Sequence, residues 1–215
     1  MNVRHYTSLD HVFMHLDRGI RTVFGRPPTT GRANPANIPL PERPLSKPER
    51  QQSVRLMRVN HTGEVCAQAL YQGQALTARR ASVRERLQQA AAEENDHLEW
   101  CTSRLHELGG HTSMLNPLFY TGSLAIGALN GQLGDRWNLG FLAETEHQVV
   151  RHLEGHLQRL PTQDTRSHAV LEAMRNDEKH HAATALEYGG RSLPWPIRGL
   201  MRAAAKVMTR TTYWL

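Results

Sequence analysis

The chain has 215 residues and a mass of 24.3 kDa, with 39% hydrophobic and 21% charged residues. This composition excludes a membrane protein built of many spans and a wholly disordered chain, and the length suits one large domain. Aromatic residues make up only 6%, whereas the helix formers Ala, Leu, Glu, Gln and Arg are abundant. An all-β fold is therefore not expected.

The net charge of +6 is unevenly distributed along the chain. Residues 1–58 contain 10 basic and 4 acidic residues, residues 59–190 contain 11 and 16, and residues 191–215 contain 5 and none. A basic head and tail therefore flank an acidic body. This distribution suits a membrane surface or a partner protein at least as well as a nucleic acid.

The two cysteines, Cys66 and Cys101, form no CxxC pattern. They indicate neither a disulfide framework nor a structural zinc site, and a reducing compartment is the simplest interpretation.

The first predicted elements are a helix and an extended segment. Apolar residues recur at helical spacing over residues 8–24, which predicts an amphipathic helix. Residues 25–48 contain seven of the eleven prolines and are predicted to be an extended linker. Ser46 followed by Glu49 is a capping-box pattern, which marks the start of the next helix.

Four long helices are predicted to follow, and three of them are closed by residues that end helices. Gly109, Pro161 and Gly189 stand directly after the second, third and fourth helices. The predicted ranges are 48–79, 83–108, 137–160 and 164–188.

Two further helical segments complete the chain. Residues 112–134 have no formal charge and are about long enough to span a bilayer, but they contain Pro117 and several glycines. We therefore predict a helix over 115–133 that is buried in protein or dips into lipid. Residues 196–212 are predicted to form an amphipathic helix with a basic residue at every fourth position. Its apolar face is equally suited to contact a membrane surface or to pack on the bundle.

Each of the four long helices has an apolar stripe that is interrupted by a carboxylate. The stripes advance in steps of three and four residues, which is typical of a helix face packed in a core. Two of the glutamates are followed three residues later by a histidine on the same face. The six inward-facing residues are Glu64, Glu94, His97, Glu146, Glu178 and His181.

This pattern occurs twice along the chain. A lone glutamate precedes a Glu-x-x-His motif by 30 residues in the first half and by 32 in the second. Four carboxylates in one apolar core would repel one another and cost several kcal/mol per ion in desolvation, and two divalent cations would offset this charge. Carboxylate oxygens with one imidazole per metal suit iron or manganese. A glutamate from each of two helices plus Glu-x-x-His from each of the other two is the ligand set of ferritin-like di-iron bundles. The expected fold is therefore all-α.

Other polar residues on the stripes are more ambiguous. His152 and His156 lie near Glu146 in sequence and are candidates for outer hydrogen-bond donors or proton carriers, or for surface histidines. Cys101, Tyr71 and Tyr188 are expected to be core residues.

Together these motifs resemble those of the Coq7 family of ubiquinone biosynthesis, over roughly residues 50–215. The resemblance depends on residues 60–64 (Asn-His-Thr-Gly-Glu), the motif from Glu94 to His97, Glu146, and residues 177–181 (Asp-Glu-Lys-His-His). It implies a membrane-associated, ferritin-like di-iron monooxygenase that uses O2 to hydroxylate 2-polyprenyl-3-methyl-6-methoxy-1,4-benzoquinol (5-demethoxyubiquinol).

The resemblance also implies a ligand set for two iron ions per chain. The implied ligands are Glu64, Glu94, His97, Glu146, Glu178 and His181. Glu94 and Glu146 are the expected bridges between the metals. His152 matches a family histidine near the site, although Leu153 stands where the family usually has tyrosine.

The expected organisation is an N-terminal helix and proline-rich segment over 1–48, followed by the hydroxylase domain over 49–215. The expected location is peripheral, at the cytoplasmic face of the cell membrane, where 112–134 and 196–212 are candidate contacts with lipid. A homo-oligomer or other proteins of ubiquinone biosynthesis are open as partners, and nucleic acid is not expected. The alternative function is iron oxidation or storage by a ferritin-like protein.

Overall fold

The computed structural model describes residues 7–37 and 43–215, and the regular structure of these ranges is entirely helical. A short 3-10 turn, Pro35–Asn37, lies between the first two helices. The helices are α1 (Ser8–Phe24), α2 (Lys47–Thr77), α3 (Ala81–Glu107), α4 (Asn116–Gln132), α5 (Asp135–Leu157), α6 (Thr165–Glu187) and α7 (Trp195–Thr212).

The local signals in the sequence place the helix ends. The Ser46 amide and hydroxyl both donate to Glu49 Oε2, at 2.8 and 2.6 Å, so the predicted capping box at the start of α2 is confirmed. Gly109 and Gly189 follow α3 and α6 with φ of +71° and +97°, a conformation that glycine adopts without strain. All the predicted helices are present, with ends within three residues of the predicted ones.

Helices α2, α3, α5 and α6 form a four-helix bundle of two antiparallel pairs, α2 with α3 and α5 with α6. The connection between the pairs is α4, which runs back along α2. Glycines allow this close approach. A Cβ atom at Gly73 would lie 2.7 Å from the Ala128 nitrogen, and one at Gly127 would lie 3.0 Å from the Leu70 Cα.

The bundle core consists of two apolar clusters, with the predicted carboxylates between them along the helix axes. One cluster contains Trp100, Cys101 and Met174, and the other contains Tyr71 and Leu142. Cys101 and Tyr71 are therefore core residues, as predicted. The same prediction is wrong for Tyr188, which is 46% exposed because α6 ends one residue before it at the end of the bundle.

Helix α1 packs on α2 and α4 with its polar side inward. Its apolar side chains, among them Phe13, Ile20 and Phe24, face away from the protein and are 59–75% exposed. Helix α7 packs on α2 and α5. In the described ranges, no helix has the length and apolar character needed to cross a bilayer.

Candidate metal centre

The six residues predicted from the stripes are all buried in the middle of the bundle. None is more than 3% exposed. Each comes from a helix whose neighbouring turns are apolar, so packing of the stripes brings the polar groups inward as well. The structure thus places Glu64 on α2, Glu94 and His97 on α3, Glu146 on α5, and Glu178 and His181 on α6.

The first half of the site is centred on His97. Its Nδ1 lies 3.0 Å from Glu94 Oε2, 3.2 Å from Glu178 Oε1 and 3.6 Å from Glu64 Oε2. One ligand atom from each of these four residues lies within 4.8 Å of the others. This spacing is small enough for all four to contact one cation.

The second half of the site is centred on His181. Its Nδ1 lies 3.3 Å from Glu94 Oε1 and 3.1 Å from Glu178 Oε2. Burial, followed by the charges of Glu178 and Glu94, raises the pKa of Glu146 well above its ordinary value. Glu146 is likewise buried, on α5, and its place in this half as the counterpart of Glu64 stays a prediction.

Glu94 and Glu178 are the two carboxylates that reach both halves. Each places one oxygen near His97 and the other near His181. The geometry therefore favours Glu178, and not Glu146 as the sequence suggested, as the second bridge. The reason is that the two Glu-x-x-His motifs lie on neighbouring helices, α3 and α6, and face each other across the bundle.

The negative charges of the buried carboxylates in this cluster require nearby positive charge. Burial raises the pKa of Glu64 well above its ordinary value, and the charges of Glu94 and Glu178 add to this effect. Burial alone would lower the pKa of His97, but the charge of Glu94 and hydrogen bonds to Asp177 and Glu178 raise it well above its ordinary value. Protons on the histidines thus supply the positive charge that the carboxylates require.

The donor set fits divalent cations. Glu94 Oε1, Glu146 Oε2 and Glu178 Oε1 are buried and accept no well-aligned hydrogen bond from the described residues. Hard carboxylate oxygens with one imidazole nitrogen in each half suit iron or manganese better than structural zinc. Cations would satisfy these oxygens and replace the protons at both Nδ1 positions.

Two outer carboxylates, which the sequence analysis did not identify, orient the histidines. His97 Nε2 lies 2.9 Å from Asp177 Oδ2, and His181 Nε2 lies 2.8 Å from Glu93 Oε2. Such a bond holds a proton on Nε2 and directs Nδ1 to the metal position. Their positions in the sequence could have identified them, because Asp177 directly precedes Glu178 and Glu93 directly precedes Glu94.

Tyr71, which the sequence predicted only as a core residue, also contacts the site. Its hydroxyl donates a short hydrogen bond to Glu146 Oε1. Burial and the charge of Glu146 raise the pKa of Tyr71 well above its ordinary value, so the phenol keeps its proton. Tyr71 therefore fixes one oxygen of Glu146 and leaves the other, Oε2, free to bind a cation.

The remaining histidines lie around the cluster. The ring of His152 contacts that of His156, with centroids 3.9 Å apart, and His156 Nδ1 lies 2.9 Å from Asn60 Oδ1. A contribution of His152 to the site stays a prediction, since its described contacts are with these neighbours. His180 is exposed.

A cavity of about 470 Å³ lies beside the cluster, between α1, α2 and α3. Tyr71 lines it and thus separates it from Glu146. Gln68 and Gln72, one helical turn apart, also line it, and Gln68 Oε1 and Gln72 Nε2 are buried without a hydrogen-bond partner. Both atoms are closed off from the cavity in this structure, so a change of side-chain rotamer is needed to turn the acceptor of Gln68 or the donor of Gln72 toward a ligand.

Comparison with known proteins agrees with this arrangement. The model of the family described as "Ubiquinone biosynthesis protein COQ7" matches residues 51–212. The chain belongs to the COQ7 family. Family members similar to it include the "3-demethoxyubiquinol 3-hydroxylase" of Nitrosococcus oceani, at 57% identity over the full length of both chains. Proteins of the same name from Nitrosomonas eutropha and Chromobacterium violaceum are each 55% identical, over 97% and 95% of this chain and 99% and 98% of their own.

The COQ7 chain is also similar in fold to a solved ferritin-related structure. The bacterioferritin-related protein from Bacteroides fragilis, described as a dodecameric thioferritin, matches with a TM-score of 0.55 and 15% identity. The match covers 65% of this chain and 84% of that one. The predicted ferritin-like, all-α fold is therefore confirmed.

Proposed function

We propose that this COQ7 chain is a 3-demethoxyubiquinol 3-hydroxylase, a monooxygenase that uses O2 to hydroxylate 2-polyprenyl-3-methyl-6-methoxy-1,4-benzoquinol. The observation that carries the proposal is the convergence of four buried carboxylates and two histidines, with bridging geometry, in one bundle. Relatives at 51–57% identity that are named for this activity support the choice of substrate.

Two iron ions are the proposed cofactor. Glu64 and His97 would hold one, Glu146 and His181 the other, and Glu94 and Glu178 both. When bound, the irons would supply the activation of O2: one oxygen atom enters the ring as a hydroxyl group and the other leaves as water, and the two electrons that this requires come from a reductant or from the quinol itself. The chain itself keeps the ligands in place: Tyr71 fixes one oxygen of Glu146, and Asp177 and Glu93 orient the two histidines.

The cavity beside Tyr71 is the proposed position of the quinol ring. A quinol hydroxyl can donate to Gln68 Oε1, and a ring oxygen can accept from Gln72 Nε2. A buried polar atom without a partner costs about 1–3 kcal/mol, which a ligand that satisfies it recovers. The cavity also lies against α1, so a tail attached to the ring can leave beside the exposed Leu76.

A peripheral position on the membrane is proposed for substrate access. The polyprenyl tail is insoluble in water, and the apolar side of α1 faces away from the protein. Exposed apolar residues on α4 (Leu118, Leu129) and on α7 (Leu200, Val207) extend the candidate surface. Basic residues on α7 suit anionic headgroups, which favours the cytoplasmic leaflet. In this proposal residues 49–215 are the hydroxylase domain, and residues 1–48 are an extension that contributes to membrane contact.

Iron storage was the alternative suggested by the sequence. A ferritin-like fold at 15% identity is compatible with many activities, and no observation on the described residues favours storage. Named relatives at far higher identity favour the hydroxylase.

The test combines metal content with activity. Replacing Glu178 by Ala removes a carboxylate that reaches both halves, so we expect the purified variant to lose most of its iron, whereas wild type holds two ions per chain. Glu172→Ala, an exposed change on the same helix, is the control and should leave the iron content unchanged. Iron-loaded wild type should hydroxylate the quinol under O2 in the presence of a two-electron reductant, and the chain should restore ubiquinone to a strain that accumulates the demethoxy precursor. Equal iron in wild type and Glu178→Ala, or no hydroxylation by the loaded wild type, would contradict the proposal.

A further inference from the structure

The segment that precedes the bundle contacts the outer side of the metal centre. We call residues 28–32 the proline strap. The Pro28 carbonyl accepts a hydrogen bond of 2.9 Å from Asn95 Nδ2. The Thr30 amide donates to Asp96 Oδ1 at 2.8 Å, and its hydroxyl donates a short bond to the other oxygen of Asp96. The strap is thus bonded to the two residues that lie between Glu94 and His97 in sequence.

Arg32, at the end of the proline strap, extends this contact to a histidine of the centre. Its guanidinium lies 2.8 Å from Asp177 Oδ2, the same oxygen that lies 2.9 Å from His97 Nε2. Its Cζ also lies 5.0 Å from the centre of the Trp100 ring, which in turn packs 5.3 Å from the His97 ring. A cation above an aromatic face and a salt bridge in one side chain restrict its position. Arg32, Asp177 and His97 therefore form a continuous chain of contacts.

In the other half of the centre no arginine forms a described salt bridge with the outer carboxylate, although Arg86 is near enough to Glu93 to act on its charge. Glu93, the carboxylate beside His181, has a described hydrogen bond from Gln89 Nε2 at 3.4 Å, and the strap does not reach it among the described contacts. The two halves are therefore alike in their inner ligands and different in their outer support.

We propose that Arg32 is a positioning residue for the His97 half of the metal centre. By holding Asp177, it keeps the Nε2 proton of His97 directed outward and Nδ1 directed at the cation position. The inference rests on the metal centre proposed above, and it assigns a role to a residue outside the range that the family model matches.

The expected effect is moderate and confined to one half. Loss of an outer hydrogen-bond partner of a metal-binding histidine typically weakens metal binding by about 10–100-fold. Arg32 acts one contact further out and is partly exposed to solvent, so we expect about three- to tenfold weaker binding of one of two cations.

The test is anaerobic titration of metal-free, full-length protein with Co(II), followed by its visible absorption. Arg32→Gln should weaken one binding step three- to tenfold and leave the other within twofold of wild type. Arg32→Lys retains the charge and should restore most of the affinity. Arg26→Gln removes a charge from the same segment and, as the control, should bind both ions as wild type does.

A double-mutant cycle with Asp177→Asn separates positioning from a general loss of structure. If Arg32 acts through Asp177, adding Arg32→Gln to Asp177→Asn should change the affinity less than twofold. Thermal unfolding of the metal-free variants should differ from wild type by no more than a few degrees.

Three results would overturn the inference. These are wild-type affinity at both steps in Arg32→Gln, equal weakening of both steps, and an undiminished effect of Arg32→Gln in the Asp177→Asn background. A wild type that binds no Co(II) would instead contradict the metal centre itself.

Discussion

At the scale of single residues, the centre combines groups that a core normally excludes. Four carboxylates are tolerated because each has a nearby histidine, hydroxyl or cation position to offset its charge. Outside the centre, unpartnered polar atoms occur where a ligand is proposed to bind, at Gln68 and Gln72. Both groups of residues lower the stability of the fold and serve the binding of a metal or a ligand, which is typical of functional sites.

The first prediction at this scale concerns Gln72. Glutamate in its place keeps an oxygen that can accept from Tyr120, as Gln72 Oε1 does at 2.5 Å, but replaces the free NH2 by a second acceptor. We expect Gln72→Glu to weaken binding of the tail-less ring 2-methoxy-5-methyl-1,4-benzoquinol by about tenfold, a typical loss for a buried hydrogen bond of about 1.4 kcal/mol. The measurement is calorimetric titration of the iron-loaded protein without O2.

The control for Gln72 is Gln74, a buried glutamine on the same helix that donates to the Asn138 carbonyl and lies outside the cavity. Gln74→Glu should lower stability without changing the dissociation constant for the ring. If Gln72→Glu binds the ring as tightly as wild type, the ring is not held in this cavity.

The second prediction concerns the stacked pair His152 and His156. Burial, and then neighbouring positive charge, lowers their pKa to about 4 and about 2, so the folded protein keeps both neutral. The unfolded chain binds these protons below its ordinary pKa of about 6.5. The contribution of these two histidines to the free energy of unfolding therefore falls as pH drops below about 6.5, by up to about 1.4 kcal/mol per pH unit for a buried histidine, and is flat above it.

This dependence is measured by urea unfolding of metal-free protein between pH 5 and 8. His156→Gln keeps a side chain that can reach Asn60 and should have a shallower slope than wild type on the acid side of pH 6.5. All other ionisable groups are common to both proteins, so only the difference between the slopes is used. Parallel slopes would show that His156 is not held neutral.

At the scale of the elements, the contact of α4 with α2 determines how the two halves of the bundle connect. The backbones meet at Gly73 and Gly127, where any side chain would collide with the opposite helix. Helix α2 carries both Glu64 of the metal centre and Gln68 of the cavity, so this packing determines the position of both residues. The two glycines therefore affect the site indirectly, because they allow α2 to lie where it does.

We predict that Gly73→Ala lowers the free energy of unfolding by about 2–4 kcal/mol, because the new Cβ would lie 2.7 Å from the Ala128 nitrogen and backbone cannot yield easily. Gly122→Ala on α4 is the matched control, since its Cβ would meet no atom within 4 Å. That change should stabilise the protein by about 0.5–1 kcal/mol because alanine favours helix. Urea denaturation measures both, and equal effects would contradict the close packing of α2 and α4.

At the scale of the whole molecule, most of the large exposed apolar side chains of the described helices lie on α1, α4 and α7. We predict that Phe13→Asp together with Ile20→Asp reduces binding to anionic vesicles at least tenfold, because both side chains are exposed on the outward side of α1. Vesicle flotation is the measurement. Leu186→Asp, which removes an exposed leucine from α6, is the control and should float as wild type does. Unchanged flotation of the α1 variant would exclude this face as the lipid contact.

The sequence alone determined the helices and the six residues of the centre. A carboxylate on an apolar stripe must face the core if the helix packs at all, so Glu64, Glu94, Glu146 and Glu178 were predictable from periodicity, and the caps at Ser46 and Gly109 are local chemistry. Tertiary structure decided the remaining features. Glu178 reaches both histidines, Asp177 and Glu93 contact the histidine of the opposite motif, Tyr71 reaches Glu146, and the proline strap lies beside His97. Apart from the contact of Glu178 with His181 on the same helix, these contacts join residues 66 to 88 positions apart, and such distances depend on how helices pack, which no local pattern records.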